Sequence, residues 1–153
     1  MNTLVIAYSK FGHTQMLGQT IAESLSGGGN ARAISMDEIN ASAFAGMDIV
    51  IMGSPTHKMN LPEAVRPVLD ALPKRSLSGV QVAAFDTSYR KNTILARFTA
   101  AKKLDCRMRK LGGKRLVPPE TFFVAEREGP LEDGEVERAQ AWASQILSLW
   151  RQG

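Results

Sequence analysis

The sequence predicts an α/β protein: a doubly wound, five-stranded parallel sheet with helices on both faces. Two observations carry this expectation. Apolar runs of strand length alternate along the chain with segments of helical periodicity. The runs Leu4-Val5-Ile6-Ala7, Asp48 to Gly53 and Val80 to Phe85 are continuous and not alternating, as in strands covered on both faces.

The elements follow in order. Leu4 to Ala7 leads into Tyr8-Ser9-Lys10-Phe11-Gly12-His13-Thr14, and helical spacing then carries Leu17, Ile21 and Leu25 to a stop at Ser26-Gly27-Gly28-Gly29-Asn30. Ala31 to Ser35 reads as a short second strand, with a weak helix around Ile39 to Phe44. After the third strand comes the loop Ser54 to Asn60. A helix is expected to open at Pro62, with Val65, Val68, Leu69 and Leu72 on one face and a bend at Pro67. The fourth strand is expected to end in the loop Asp86 to Arg90. A long helix then carries Ile94, Phe98, Ala101, Leu104, Met108 and Leu111, and Gly112-Gly113 ends it. Lys114 to Val117 and Thr121 to Val124 are pieces of an edge strand broken by Pro118-Pro119. Val136, Ala139, Ala143, Ile146 or Leu147, and Trp150 mark the last helix. No repeat and no long linker divides the chain, so residues 1–153 read as one domain.

Composition excludes several classes. The single Cys106 rules out an internal disulfide and any multi-cysteine metal site. No apolar run approaches the roughly 20 residues of a membrane span, and Met1-Asn2 leads straight into a core strand, so a cytoplasmic protein is expected. The net charge is +4 and the pI about 9.5. Bases crowd Arg90, Lys91, Arg97, Lys102, Lys103, Arg107, Arg109, Lys110, Lys114 and Arg115, with Asp105 the one acid among them, while acids crowd Glu126 to Glu137. Such clusters are ordinary solvated faces or a docking surface for an acidic partner. Nucleic-acid binding is disfavoured, because the basic helix lacks interleaved aromatics.

In a doubly wound sheet, ligands sit beyond the carboxyl ends of the strands where strand order reverses. Three segments are expected there: Ser9–Thr14, Ser54–Asn60 and Asp86–Arg90. The first is no nucleotide-triphosphate loop, since Gly-Lys-Ser/Thr is missing, and Gly12 has no partner glycine for a dinucleotide fingerprint. It lacks the acids of a receiver domain and the cysteine of a low-molecular-weight phosphatase. Capture of a monophosphate by hydroxyls and amides at a helix start remains.

Here the sequence resembles the flavodoxin-like family. Tyr8-Ser9-Lys10-Phe11-Gly12-His13-Thr14 is similar to that family's phosphate loop, and the likeness continues in Gly53-Ser54-Pro55-Thr56, Phe85-Asp86-Thr87, and the tail from Glu128-Gly129-Pro130-Leu131 to Glu137-Arg138-Ala139. The resemblance implies strand order 2-1-3-4-5, non-covalently bound FMN, and electron transfer with a redox partner protein. By position, Ser9, Lys10, Phe11, Gly12, His13 and Thr14 would hold the 5′-phosphate. Ser54, Pro55, Thr56 and His57 would line the ribityl chain and one ring face. Asp86, Thr87, Ser88 and Tyr89 would meet the ring edge and the other face, with Tyr89 the stacking candidate.

The chain departs from the family in two ways. Its second loop, Thr56-His57-Lys58-Met59-Asn60, has no aromatic and no glycine, and its overall charge is basic where flavodoxins are commonly acidic. His57 and Lys58 would favour the anionic reduced flavin and raise the two-electron potential. Two other functions stay open: an NAD(P)H:quinone-type oxidoreductase, and a non-redox binding module that keeps the fold without the cofactor. Assembly into a homo-oligomer also stays open.

Overall fold

The computed structural model describes residues 1–90 and 97–153. Strand β1 (Asn2–Ala7) lies between β2 (Asn30–Ser35) and β3 (Ile49–Pro55), parallel to both. Next to β3 lies β4 (Gln81–Ser88), and the position beyond it is shared by two short pieces, β5 (Lys114–Arg115) and β6 (Glu120–Phe123). The order β2-β1-β3-β4-β5 is the doubly wound one expected. Pro118 and Pro119 separate the two pieces, since neither can donate to a ladder.

Side chains alternate across this sheet to make two cores. Leu4, Ile6, Val50 and Met52 pack with α2 (Val65–Asp70) and α3 (Ala100–Lys110). Val5, Ile49, Ile51 and Phe85 pack with α1 (His13–Leu25) and α4 (Glu135–Gln152). The central strands β1, β3 and β4 are therefore apolar on both faces, which is why their runs read as continuous.

Phe85 organises the second core. Its ring stands edge-on to Phe122 and Trp142, centroids 6.1 Å away in both cases. Gly53 on the neighbouring strand makes room for it, because a Cβ there would lie 2.1 Å from Phe85 Cζ. Beside this cluster, Arg138 donates to Glu135 (Nη2 to Oε2, 2.7 Å) and Glu120 (2.8 Å), and its guanidinium sits 4.6 Å over the Phe122 ring. Glu135 in turn accepts the Phe123 amide at 2.7 Å, tying α4 to β6. Burial pushes the Glu135 carboxyl up, but the Arg138 and Phe123 hydrogen bonds outweigh it and hold the group below its ordinary 4.5.

Four expectations need correction. The helix expected at Pro62 begins at Val65 instead, so Pro67 falls in its first turn, where its missing N–H has no partner to lose. The weak helix around Ile39 to Phe44 is replaced by two single 3₁₀ turns, Met36–Glu38 and Ala41–Phe44. The long helix starts at Ala100 behind a Thr99 cap, so Phe98 precedes it and is 48% exposed. Ile94 lies outside the described residues. Asp86 to Ser88, expected as loop, extend β4, because β6 resumes pairing beyond the prolines (Asp86 with Thr121, Ser88 with Phe123). Gly112-Gly113 does end α3: their amides donate to Arg109 and Met108, both at 3.0 Å, and Gly112 takes φ 98°.

Gly53→Ala should cost about 1–3 kcal/mol of stability by overpacking against Phe85, read as a lowered urea midpoint. An unchanged midpoint would contradict the packing described. The charge of Glu135 contributes stability that is full above about pH 4.5 and fades as pH falls through its lowered native pKa. Arg138→Met should therefore destabilise more near neutral pH than near pH 3, as measured by denaturation at both.

Candidate functional site

The carboxyl ends of β1, β3 and β4 open on one cavity of about 530 Å³, within the usual range for small-molecule sites. The Tyr8 amide donates to the Gly53 carbonyl at 3.0 Å, and that of Thr56 to Thr87 at 2.9 Å. The three loops are thereby registered to one another by backbone bonds.

The first wall is the start of α1. Gly12 takes φ 92° as its N-cap and donates its amide to Ser9 Oγ at 2.9 Å, which closes the turn. No side chain caps the helix and no acid stands in its first turn. The amides of His13, Thr14 and Gln15 have no carbonyl one turn back, so the positive end of α1 meets the cavity bare. Thr14, only 2% exposed, shares a hydrogen bond with Thr87 that joins α1 to β4 (Oγ1 to Oγ1, 2.9 Å). His13 donates from Nε2 to the Glu128 carbonyl at 2.7 Å, so that nitrogen carries hydrogen.

The second wall follows β3. His57 and Asn60 exchange both backbone bonds, 2.8 and 2.9 Å, around a two-residue turn. Lys58 and Met59 occupy it at φ 47° and 60°, a left-handed conformation normally given to Asn-Gly. Thr56 donates to Asp86 Oδ2 at 2.8 Å and accepts the Ala100 amide at 2.8 Å, while the same Asp86 oxygen accepts from Ala101 at 3.0 Å. Asp86 is fully buried and ties the second loop to the first turn of α3.

Ser9, Lys10, Phe11, His13, Thr14, Pro55, Thr56, His57, Thr87, Ser88 and Tyr89 thus line one cavity. Gly12, Ser54 and Asp86 do not line it. Gly12 turns the first loop, the buried Ser54 hydroxyl donates to the Pro55 carbonyl at 2.9 Å, and Asp86 sits behind the wall. Tyr8, Lys58, Pro62, Glu63, Ala64, Val124 and Arg127 complete the lining. The last two could have been anticipated, since a fifth parallel strand also ends at this sheet edge. The Ser88 hydroxyl is buried and has no hydrogen-bond partner among the described residues. Lys10, Lys58 and Arg127 have no ion-pair partner among them either, and Glu63 is the one carboxylate in the lining. No group of side chains that could hold a metal occurs among the described residues.

A doubly wound sheet with a bare helix N-terminus and three strand ends around a cationic cavity is an arrangement suited to an anion. The chain belongs to the flavodoxin family, whose sequence model matches residues 5–142. Among solved structures, it is similar to oxidised flavodoxin 1 from Bacillus cereus, with TM-score 0.77 and 20% identity over 97% of this chain and 98% of that one. A flavodoxin from the domain Archaea gives TM-score 0.79 and 17% identity over 97% of both chains. A flavodoxin, WrbA-like protein from Agrobacterium tumefaciens gives 0.77 and 20% over 99% of this chain and 98% of that one. At these identities the likeness is one of fold. No curated protein sequence matches the chain.

Left-handed backbone at a residue with a side chain costs about 1–2 kcal/mol. Met59→Gly should therefore raise the unfolding free energy by up to about 1 kcal/mol after the entropy of the unfolded glycine is subtracted. The β-branched Met59→Val should lower it. Urea denaturation of the two variants checks the pair.

Proposed function

We propose that this chain binds FMN non-covalently and transfers electrons between redox partners. The observation that carries the reading is the uncapped N-terminus of α1 opening into a cavity shared with β3 and β4. Its residues fit the group. Bare amides and the Thr14 hydroxyl suit a phosphate, the unpartnered Ser88 hydroxyl suits a ring or ribityl oxygen, and the exposed Tyr89 offers a stacking surface. When bound, the flavin supplies the redox chemistry; the protein orients it and sets its surroundings. Ser9, Lys10, Phe11, Gly12, His13 and Thr14 would hold the phosphate end. Pro55, Thr56 and His57 would flank one side of the ring, with Thr87, Ser88 and Tyr89 on the other.

Lys58 and His57 bring positive charge or hydrogen-bond donors to the second wall, where they stabilise the more negative reduced cofactor. The exposed apolar side chains of Phe11, Met59 and Tyr89 stand at this end of the molecule among Lys10, Lys58 and Arg127. Such a rim suits a redox partner with an acidic docking surface around an apolar centre. Part of the basic run is used internally: Arg107 pairs with Asp70, Arg109 and Arg115 with Asp105, and Arg90 with Glu132. No helix among the described residues is long and apolar enough to cross a membrane, and a cytoplasmic carrier fits this reading.

The purified chain mixed with FMN should show the bands of a bound oxidised flavin after gel filtration. A protein that stays colourless would be a non-redox module. Stopped-flow mixing with NAD(P)H and a quinone should show no direct turnover; rapid turnover would make it a quinone oxidoreductase instead. Lys58→Glu should lower the two-electron midpoint by roughly 30 mV, the equivalent of about 1.4 kcal/mol. An unchanged potential in a redox titration would remove Lys58 from the account.

A further inference from the structure

We infer that Arg127 is a side-chain ligand for the cofactor phosphate, held in place by His13, so that the phosphate is bound by charge as well as by amides. This rests on the FMN reading above. The segment after β6 folds into a tight loop, with the Ala125 amide donating to Pro130 and the Gly129 amide to Glu126, at 2.9 and 3.0 Å. The loop is pinned to the start of α1: the Glu128 carbonyl accepts the His13 Nε2 hydrogen at 2.7 Å. Gly129 lies so close beneath the imidazole that a Cβ there would meet Nε2 at 2.0 Å. Arg127 is adjacent to this contact, so its backbone is set beside the bare first turn of α1, and the residue lines the cavity.

Its charge is uncommitted. Arg107 and Arg109 of α3 and Arg138 of α4 face carboxylates, whereas Arg127 has no ion-pair partner among the described residues despite glutamates on both sides in sequence. A phosphate monoester carries about −1.5 to −2 charges near neutral pH, which amide dipoles alone offset only in part. A guanidinium offers a bidentate fork to such an oxyanion. His13 acts here as a positioning residue: it donates to the loop that carries Arg127, and the acceptor is the Glu128 backbone carbonyl.

The test is a fluorescence titration of the full chain with FMN and with riboflavin, which lacks the phosphate, at low and high salt. Arg127→Ala should weaken FMN binding about tenfold, leave riboflavin within about twofold, and flatten the salt dependence. Arg127→Lys should fall between, keeping charge without the fork. His13→Ala should lose part of the same increment, and the double variant should bind FMN no worse than Arg127→Ala alone. The inference is overturned if Arg127→Ala leaves FMN affinity unchanged, or weakens both flavins equally. Additive losses in the double variant would remove the positioning role of His13. Inorganic phosphate, followed by phosphorus NMR line broadening, separates the two layers of the argument. If the unaltered chain binds neither flavin but broadens phosphate in an Arg127-dependent way, the FMN reading falls and the anion ligand stands. If it binds neither flavin nor phosphate, both fall.

Discussion

Parallel pairing of β1 with both β2 and β3 is the constraint on which the rest of this molecule depends. Right-handed crossovers then send α1 to one face of the sheet and α2 and α3 to the other, with α4 returning to the face of α1. The chain therefore leaves the carboxyl ends of β1 and β3 toward opposite faces, with the first turn of α1 beside the cavity there. A helix end exposed in this way ordinarily takes a side-chain cap. Here none is supplied, and the lining of the cavity is cationic. The cavity follows from topology, and its suitability for an anion follows from what the sequence leaves out as much as from what it places there.

Keeping that cavity in shape falls to contacts outside it. Gly53 lets β3 and β4 lie side by side with the Phe85 ring between them and α4. Beyond the proline break, β6 pairs with the last residues of β4, and the Glu135–Arg138 pair anchors β6 to α4. The far end of β4 is thereby held as strand up to Ser88, which fixes Thr87 against Thr14. Asp86 does the matching work for the second loop, receiving Thr56 and the first turn of α3 on one carboxylate oxygen. Residues that look like ligands in sequence thus divide into those that face the cavity and those that brace it.

Much of this was legible before any coordinates. Continuous apolar runs mark strands covered on both faces, and the order of loops along the chain already gathers Ser9–Thr14, Ser54–Asn60 and Asp86–Arg90 at one sheet edge. Boundaries were less legible, for physical reasons. Asp86-Thr87-Ser88 has the composition of a turn, and pairing with β3 on one side and β6 on the other, both distant in sequence, makes it strand. Phe98 sits at helical spacing from Ala101, yet the Thr99 cap starts α3 after it. Pro62 looks like a helix opener, but α2 waits until Val65 and uses Pro67 in its first turn. The Lys58-Met59 turn was invisible because two left-handed residues without glycine go against local preference. Arg127 is signalled only by its position after the last strand; its exact place depends on the loop pinned by His13.

The charge of the chain now has a more specific meaning than its total. Several arginines of the basic run are spent on internal carboxylates, while Lys10, Lys58 and Arg127 surround the cavity. The central claim is that one ligand spans the bare helix end and the far end of β4. Amide NMR of the isotopically labelled chain during FMN addition tests it most directly. His13, Thr14, Ser88 and Tyr89 should shift together and saturate at one FMN per chain. Shifts confined to His13 and Thr14, or none at either wall, would contradict it.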